Sequence, residues 1–161
     1  MKRRAFLAAT AASLLAARAR AVDAVPTVDA KQLRGLLDAR RGKVVVLNLW
    51  ATWCAPCLRE IPDLMRIEQE LGPRGLALVG VSMDEPGDAG RVATFRAKYF
   101  PGFRTWLRAG QDLDAIASVV DPAWNEVLPT TYLIGRDGKV VQRVQGAKTH
   151  AEFLALIEGA L

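Results

Sequence analysis

Residues 44–57 read VVVLNLWATWCAPC, and this stretch decides the fold. Val44 to Trp50 is an almost unbroken apolar run rich in β-branched side chains, which is typical of a strand buried on both faces. A helix is predicted from about Cys54 to Leu71, and Leu76 to Val81 is a second apolar run. A strand, a helix and a strand at this spacing predict a βαβ unit with parallel strands and a right-handed crossover.

The rest of the chain extends this unit into one domain. Asp137 and Gly138 lie in a short connection between two apolar runs and predict a hairpin, so that part of the sheet should be antiparallel. Asp88 is a candidate helix N-cap, and Gly42 a candidate C-cap. The further predicted helices are Asp29–Arg41, Asp88–Tyr99, Asp112–Val120 and His150–Ala160, and the further strands are Phe103–Leu107, Thr130–Ile134 and Val140–Val144. We predict an α/β fold: a mixed sheet with a parallel βαβ half, a C-terminal β-hairpin plus helix, and helices on both faces.

The first 21 residues have the character of an export signal. Basic residues at 2–4 precede the apolar run Ala5 to Ala17, and Ala19-Arg20-Ala21 fits a signal-peptidase site. The apolar run is shorter than the roughly 20 residues that span a bilayer. The adjacent arginines at 3 and 4 fit a twin-arginine signal as well as an ordinary Sec signal. We therefore expect a signal peptide over residues 1–21, cleavage after Ala21, one domain over residues 22–161 and a periplasmic location.

The signal also explains the basic charge of the chain. Without its five basic residues, Lys plus Arg falls from 22 to 17, which equals the 17 Asp plus Glu. The expected mature domain is thus electrically neutral and has no basic block, so it does not have the charge pattern of a nucleic-acid-binding protein. We expect no nucleic-acid partner.

The chemistry of the chain is expected to reside in its two cysteines, Cys54 and Cys57. With a single distant histidine, His150, they cannot make the four-ligand set of a structural zinc site. At a helix start, unpaired N–H groups and the helix dipole favour a thiolate. Cys54, nearer the helix start, is the expected attacking nucleophile, and Cys57 the resolving thiol. A structural disulfide is the simpler alternative, but a bridge across three positions closes a very short loop and adds little stability.

Two motifs carry a resemblance to a known family. WATWCAPCLREIP at residues 50–62 and LPTTYLI at residues 128–134 resemble the thioredoxin superfamily, and within it the TlpA/ResA-like branch of exported thiol–disulfide oxidoreductases. The likeness covers roughly Asp29 to Leu161 in element order. It implies a thioredoxin-like fold and disulfide exchange with no cofactor other than the redox-active Cys54–Cys57 disulfide.

The resemblance also assigns roles to further residues. Pro129 matches the cis-proline that presents a backbone edge to the substrate, and Glu60 matches a buried acid that exchanges protons with the thiols. The bland alternatives are an ordinary trans-proline and a solvated glutamate on the helix surface. Pro62 lies inside the predicted helix and should bend it. The expected catalytic residues are Cys54, Cys57 and Glu60, and the expected substrate-binding residues are Trp53, Pro56, Leu128, Pro129 and Thr130.

The aromatic residues and His150 receive simpler predictions. Trp50 is expected in the core, and Trp53 is expected to cover the sulfurs. Trp124 fits either the core or the substrate surface. His150 is expected to be a surface residue at the start of the last helix.

The predicted function is reduction of disulfides in exported proteins, such as apocytochrome c or copper-site thiols, with electrons from a membrane donor. The protein is expected to act as a monomer. A copper(I)-binding assembly chaperone using the same two thiols is the alternative, because soft thiolates suit copper(I). A peroxidase of the same fold would need a different motif ahead of its cysteine, which Ala51 and Trp53 do not supply.

Overall fold

The computed structural model describes residues 23–161, so the predicted signal peptide over residues 1–21 lies outside the described residues. Residues 23–161 form six strands and five α-helices, with short 3₁₀ turns at Gly72–Arg74 and Pro86–Asp88. In chain order the elements are β1 (Thr27–Val28), α1 (Ala30–Asp38), β2 (Val44–Trp50), α2 (Ala55–Leu71), β3 (Leu76–Ser82), α3 (Ala89–Tyr99), β4 (Thr105–Arg108), α4 (Leu113–Ala117), β5 (Thr130–Ile134), β6 (Val140–Gln145) and α5 (His150–Glu158).

One mixed sheet has the strand order β1-β4-β3-β2-β5-β6. Strand β2 pairs in parallel with β3, with Trp50 opposite Ser82, and antiparallel with β5, with Leu49 opposite Thr130. Strands β5 and β6 form the predicted antiparallel hairpin. The central strand β2 therefore joins the parallel half to the antiparallel half, and its carboxyl end leads directly to the cysteines.

Helices cover both faces of the sheet, as predicted. On one face, Leu64 of α2, Val92 of α3 and Phe153 of α5 belong to one apolar cluster. On the other face, Leu33 of α1 and Ile116 of α4 belong to a second cluster. Strands β2 and β3 are buried along their whole length, because side chains from both of their faces enter a core.

Several boundaries differ from the sequence prediction. Strand β1 was not predicted, because two residues are too short to show a period-2 pattern. Helix α4 is shorter than Asp112–Val120, and β4 begins two residues later than Phe103. Helix α1 ends at Asp38 with Ala39 as its C-cap, whereas Gly42 adopts a φ of 88° in the following turn.

Asp88 is the N-cap residue of α3, as predicted, but its side chain makes no capping hydrogen bond to the helix backbone. Its carboxylate instead accepts a hydrogen bond from Arg91 at 2.5 Å. The carboxylate oxygen that could have capped the helix backbone is thus hydrogen-bonded to Arg91, one turn further along the helix. Arg91 also reaches a buried carboxylate, Asp84, so it joins α3 to the carboxyl end of β3.

The helices were also compared with what a membrane-spanning helix requires. From residue 23 to residue 161, no helix has both the length and the apolar character needed to cross a bilayer.

Candidate active site

The two cysteines lie at the start of α2, shortly after the end of β2, and they form a disulfide with an S–S distance of 2.05 Å. Cys54 is the N-cap residue of α2, and its Sγ accepts a hydrogen bond from the backbone N–H of Cys57 at 3.3 Å. Cys54 is 5% exposed and Cys57 is fully buried. Both cysteines are buried, and Cys54 at the helix start is slightly the more accessible of the two.

A tight turn precedes Cys54. The backbone N–H of Cys54 donates to the carbonyl of Ala51 at 3.1 Å, so that Thr52 and Trp53 occupy the middle of the turn. Trp53 is 67% exposed and stands beside Cys54 in the chain. The exposed indole therefore adds apolar surface next to Cys54.

The buried carboxylate of Asp84 is hydrogen-bonded to this turn. Asp84 follows the carboxyl end of β3, and its carboxylate accepts hydrogen bonds from the backbone N–H of Thr52 at 2.9 Å and from the Thr52 hydroxyl at 2.6 Å. Ser82 donates to the same carboxylate at 2.6 Å, and Arg91 donates to it at 3.1 Å. The turn is therefore tied to the neighbouring strand and to α3.

Glu60 lies on α2, one turn beyond Cys57, and is 1% exposed. Its Oε1 accepts a hydrogen bond from the side-chain amide of Asn48 at 2.8 Å, and its Oε2 accepts one from the backbone N–H of Lys148 at 3.3 Å. Burial raises the pKa of Glu60 to about 7, and these hydrogen bonds and the charge of Lys148 oppose the rise. The carboxyl group can take up and release a proton near neutral pH.

The side-chain amide of Asn48 also joins Glu60 to the strand that follows the proline. It donates to the Thr131 hydroxyl at 2.9 Å, while the peptide bond between Leu128 and Pro129 is cis. The antiparallel register pairs Leu49 with Thr130, so Pro129 enters the sheet beside the end of β2. The cysteine helix and the cis-proline segment are thus linked through the central strand.

The other residues predicted to bind substrate differ in accessibility. Pro56 and Leu128 are half-buried, and Pro129 is buried. Thr130 is fully buried, and its hydroxyl accepts from the Trp124 indole N–H at 3.2 Å and donates to the Val127 carbonyl at 2.6 Å. The Thr130 side chain points inward, so contact with a substrate would have to come from its backbone.

The remaining aromatic residues and His150 are placed as follows. Trp50 is fully buried, as predicted, and Trp124 belongs to the core rather than to the open surface. His150 begins α5, where its Nε2 lies 3.6 Å from Glu70 Oε1. His150 is therefore half-buried against α2 rather than a fully exposed surface residue.

Pro62 lies inside α2, as the sequence predicts. Without an N–H, it leaves the helix one hydrogen bond short at that turn.

Metal-ligating side chains do not cluster at the site. Over residues 23–161, no group of three or more His, Cys, Asp and Glu side chains is arranged to hold a metal ion.

A groove of about 600 Å³ lies between β6 and α5, lined by Arg143, Lys148 and Glu152 among others. Lys148 connects this groove with Glu60 through its backbone N–H.

Comparison with known proteins places this geometry in a family. Residues 21–143 match the AhpC/TSA family. The chain belongs to the AhpC/TSA family.

Curated relatives of this AhpC/TSA-family chain carry the name thiol-disulfide oxidoreductase ResA. The protein from Bacillus thuringiensis subsp. konkukian is 32% identical over 113 residues, which cover 70% of this chain and 61% of that protein. The protein from Bacillus subtilis is 35% identical over 125 residues, which cover 76% and 65% of the two chains. The chain therefore spans less than two thirds of the length of these relatives.

Solved structures agree with the fold. A putative thiol:disulfide interchange protein DsbE from Chlorobium tepidum aligns with a TM-score of 0.64 and 25% identity, covering 86% of this chain and 92% of that one. A putative protein disulfide isomerase from Bacteroides thetaiotaomicron aligns with a TM-score of 0.63 and 28% identity, covering 76% and 74%. The predicted thioredoxin-like fold and the resemblance to the ResA-like branch are confirmed.

Sequence analysis missed three polar residues of the site of this AhpC/TSA-family chain: Asn48, Thr131 and Asp84. Asn48 is the only polar residue in the apolar run of β2, and that interruption was the available signal. Asp84 has local partners in Ser82 and Arg91, but its link to the cysteine turn was not visible because Thr52 is 32 residues away in the chain.

Proposed function

We propose that this chain is a thiol–disulfide oxidoreductase that reduces disulfides of exported proteins by dithiol exchange at Cys54 and Cys57. The observation that carries the proposal is the disulfide at the start of α2, in which Cys54 is 5% exposed and Cys57 is fully buried. The names of the ResA relatives support the same reaction class.

The exchange proceeds in two steps that conserve electrons and protons. The Cys54 thiolate attacks one sulfur of a substrate disulfide, which forms a mixed disulfide and releases the other substrate sulfur as a thiolate. The Cys57 thiol loses its proton and attacks Cys54 Sγ, which releases the second substrate thiolate and closes the Cys54–Cys57 disulfide. The substrate gains two electrons and, from solvent, two protons, and this protein loses two electrons. A donor dithiol at the membrane must then reduce the disulfide again.

Glu60 is suited to accept the proton that Cys57 loses. It lies one helical turn after Cys57, and its pKa, raised by burial to about 7, allows it to exist in both protonation states near neutral pH. Proton transfer to a buried carboxylate also avoids having two buried anions at once. We assign Glu60 the role of proton relay.

The substrate is proposed to lie across Trp53 and the cis-proline segment. Trp53 offers an exposed apolar face, and Leu128, Pro129 and the backbone of Thr130 lie beside the end of β2. Pro56 lies between the two cysteines and completes this surface. An extended peptide presenting its disulfide would meet Cys54 first.

The proposed cellular setting rests on the predicted export signal over residues 1–21. We propose a periplasmic, monomeric protein with a membrane electron donor, and cysteines of apocytochrome c or of copper-site proteins as substrates, which would place it in cytochrome c biogenesis. These are proteins whose cysteines must be reduced after export and before they bind haem or metal. The resemblance to the reducing branch supports the direction.

The experiment that tests the function is trapping of the mixed disulfide. Cys57→Ser should retain a substrate on Cys54, because the resolving thiol is missing, and the adduct should disappear on reduction. The matched control is the Cys54→Ser, Cys57→Ser double variant, which should trap nothing. Absence of any adduct on Cys54 in the native compartment contradicts the assigned roles. Stoichiometric, tight copper(I) binding that Cys54→Ser abolishes would instead favour the copper chaperone.

A further inference from the structure

Asp84 has a local environment that the exchange reaction described above does not explain. Its side chain is fully buried, yet it accepts hydrogen bonds from Ser82, Arg91 and, twice, Thr52. Burying a carboxylate costs free energy even when it is paired, and a neutral side chain could hold the same turn. A buried charge kept beside a reactive group indicates a role for the charge itself.

The distance from Asp84 to the dithiol is limited by the chain. Thr52 is two residues before Cys54, and two residues span at most about 7 Å. The turn closed by the hydrogen bond from Cys54 to Ala51 makes the separation shorter still. The carboxylate, hydrogen-bonded to the Thr52 backbone N–H at 2.9 Å, therefore lies within about 10 Å of the Cys54 backbone nitrogen.

We propose that Asp84 is a positioning residue that fixes the turn carrying Trp53 and Cys54 and keeps a negative charge behind it. This charge opposes formation of the Cys54 thiolate, which is also negative. The reduced form of the protein is then less stable relative to the disulfide, so the protein is a stronger reductant. This inference rests on the proposed function, which assigns Cys54 as the attacking thiolate.

Other charged groups around Asp84 modify its effect in a defined way. Arg91 of α3 is half exposed and binds both Asp84, at 3.1 Å, and Asp88, at 2.5 Å. Arg108 of β4 donates to the carbonyl of Met83, the residue before Asp84, and to the carboxylate of Glu85, the residue after it. The charge of Arg108 is therefore paired with Glu85 and not with Asp84.

Two further charged groups lie on the cysteine side. From α2, Glu60 contributes a second buried carboxyl, one turn after Cys57, and the charge of Lys148 faces Glu60. Arg91 is therefore the cation that bears most directly on Asp84, and it opposes the effect of the carboxylate.

Because Asp84 and Arg91 carry opposite charges, removing each of them should shift the ionisation of Cys54 in opposite directions, and this can be measured. In a Cys57→Ser background, where Cys54 is the single cysteine, the rate of Cys54 alkylation by iodoacetamide is measured against pH. Asp84→Asn removes the anion with little change of shape, and the midpoint of the profile should fall by about half a pH unit. Arg91→Gln removes the cation, and the midpoint should rise.

A second measurement uses the intact dithiol. The equilibrium constant for reduction of the Cys54–Cys57 disulfide by glutathione should rise about threefold in Asp84→Asn and fall in Arg91→Gln. Neither readout needs a protein substrate, so failure of the proposed function would leave both results unchanged. A purely structural Asp84 would move both variants in the same direction or leave both profiles in place, and either result overturns the proposal. If Asp84→Asn does not fold, Arg91→Gln on the surface decides, and an unchanged midpoint contradicts the inference.

Discussion

At the scale of single residues, Glu60 carries the most informative titration in the molecule. Its pKa is 4.5 in an ordinary setting and is raised to about 7 in the fold, chiefly by burial. Between these values the folded chain binds a proton that the unfolded chain has lost. Stability from this group is therefore complete below pH 4.5 and is lost as the pH rises to about 7, an effect of about 3 kcal/mol.

Glu60→Gln should remove this pH dependence. Urea unfolding between about pH 4.5 and pH 8 should show a free energy of unfolding that falls with pH in the wild-type protein and changes much less in the variant. The exposed Glu158→Gln is the matched control and should keep the wild-type slope. An unaltered slope in Glu60→Gln would mean that the carboxyl titrates normally.

Asn48 is the second residue with a measurable effect on this titration. Its amide donates to Glu60 and lowers the pKa of that carboxyl. Asn48→Ala should therefore raise the pKa of Glu60 above about 7 and cost about 1–3 kcal/mol of stability at about pH 8, because the carboxylate loses its donor. Carbon-detected NMR of the Glu60 carboxyl measures the first effect, and urea unfolding the second. Asn125→Ala, at an exposed loop position, should do neither.

At the scale of elements, two helices begin with the same device. Asp29 at the start of α1 and Thr149 at the start of α5 each form a capping box with a partner three residues on. Helix α5 differs because the residue before its cap, Lys148, donates its backbone N–H to Glu60. The start of α5 is therefore part of the site, and the start of α1 is not.

Matched cap variants should separate these two roles. Asp29→Ala and Thr149→Ala should each cost about 1 kcal/mol in urea unfolding, because each removes a helix cap. Only Thr149→Ala should also raise the pKa of Glu60, since fraying there weakens the hydrogen bond from Lys148 that lowers it. Equal titrations of Glu60 in the two variants would show that α5 does not influence the site.

At the scale of the whole molecule, the core is packed closely where β3 meets the segment that enters β4. A Cβ on Gly80 would lie 2.5 Å from the Phe103 ring and 3.0 Å from the Thr105 hydroxyl. Gly80→Ala should therefore cost about 1–3 kcal/mol. A Cβ on Gly35, in the middle of α1, would meet nothing within 4 Å, and Gly35→Ala should stabilise the protein by about 0.5–1 kcal/mol. Thermal unfolding of both variants checks the contrast, and a stabilised Gly80→Ala would show that the core is looser than described.

The architecture was predictable because its central strands are buried on both faces. Val44–Trp50 and Thr130–Ile134 were predicted with the bounds that the structure has, since an apolar run leaves little choice of boundary. Strand β1 escaped prediction because it has only two residues, which pair with β4 and of which one, Val28, is buried in the second apolar cluster. Short elements depend on their neighbours rather than on their own pattern.

The site residues that lie close in the chain were predictable from their spacing, whereas the distant Pro129 was predicted only from the family resemblance. Cys54, Cys57 and Glu60 share one helix start, and the burial of Glu60 departs from the usual exposure of glutamate. Asn48 and Asp84 depend on partners 83 and 32 residues away, so no spacing rule could have pointed to them. The roles of the substrate-binding residues stay predictions.

The chain distances within the site also order its assembly. Only 12 residues separate Asn48 from Glu60, whereas 83 separate Asn48 from Thr131. Closing the longer loop costs more chain entropy and is slower, so the β2-α2-β3 unit can form before β5 docks against β2. In that order of assembly, we expect the two thiols to adjoin on one helical turn before the strand that follows the cis-proline is in place. The disulfide thus belongs to the local half of the fold, and a newly made chain can be oxidised before it is able to bind a substrate.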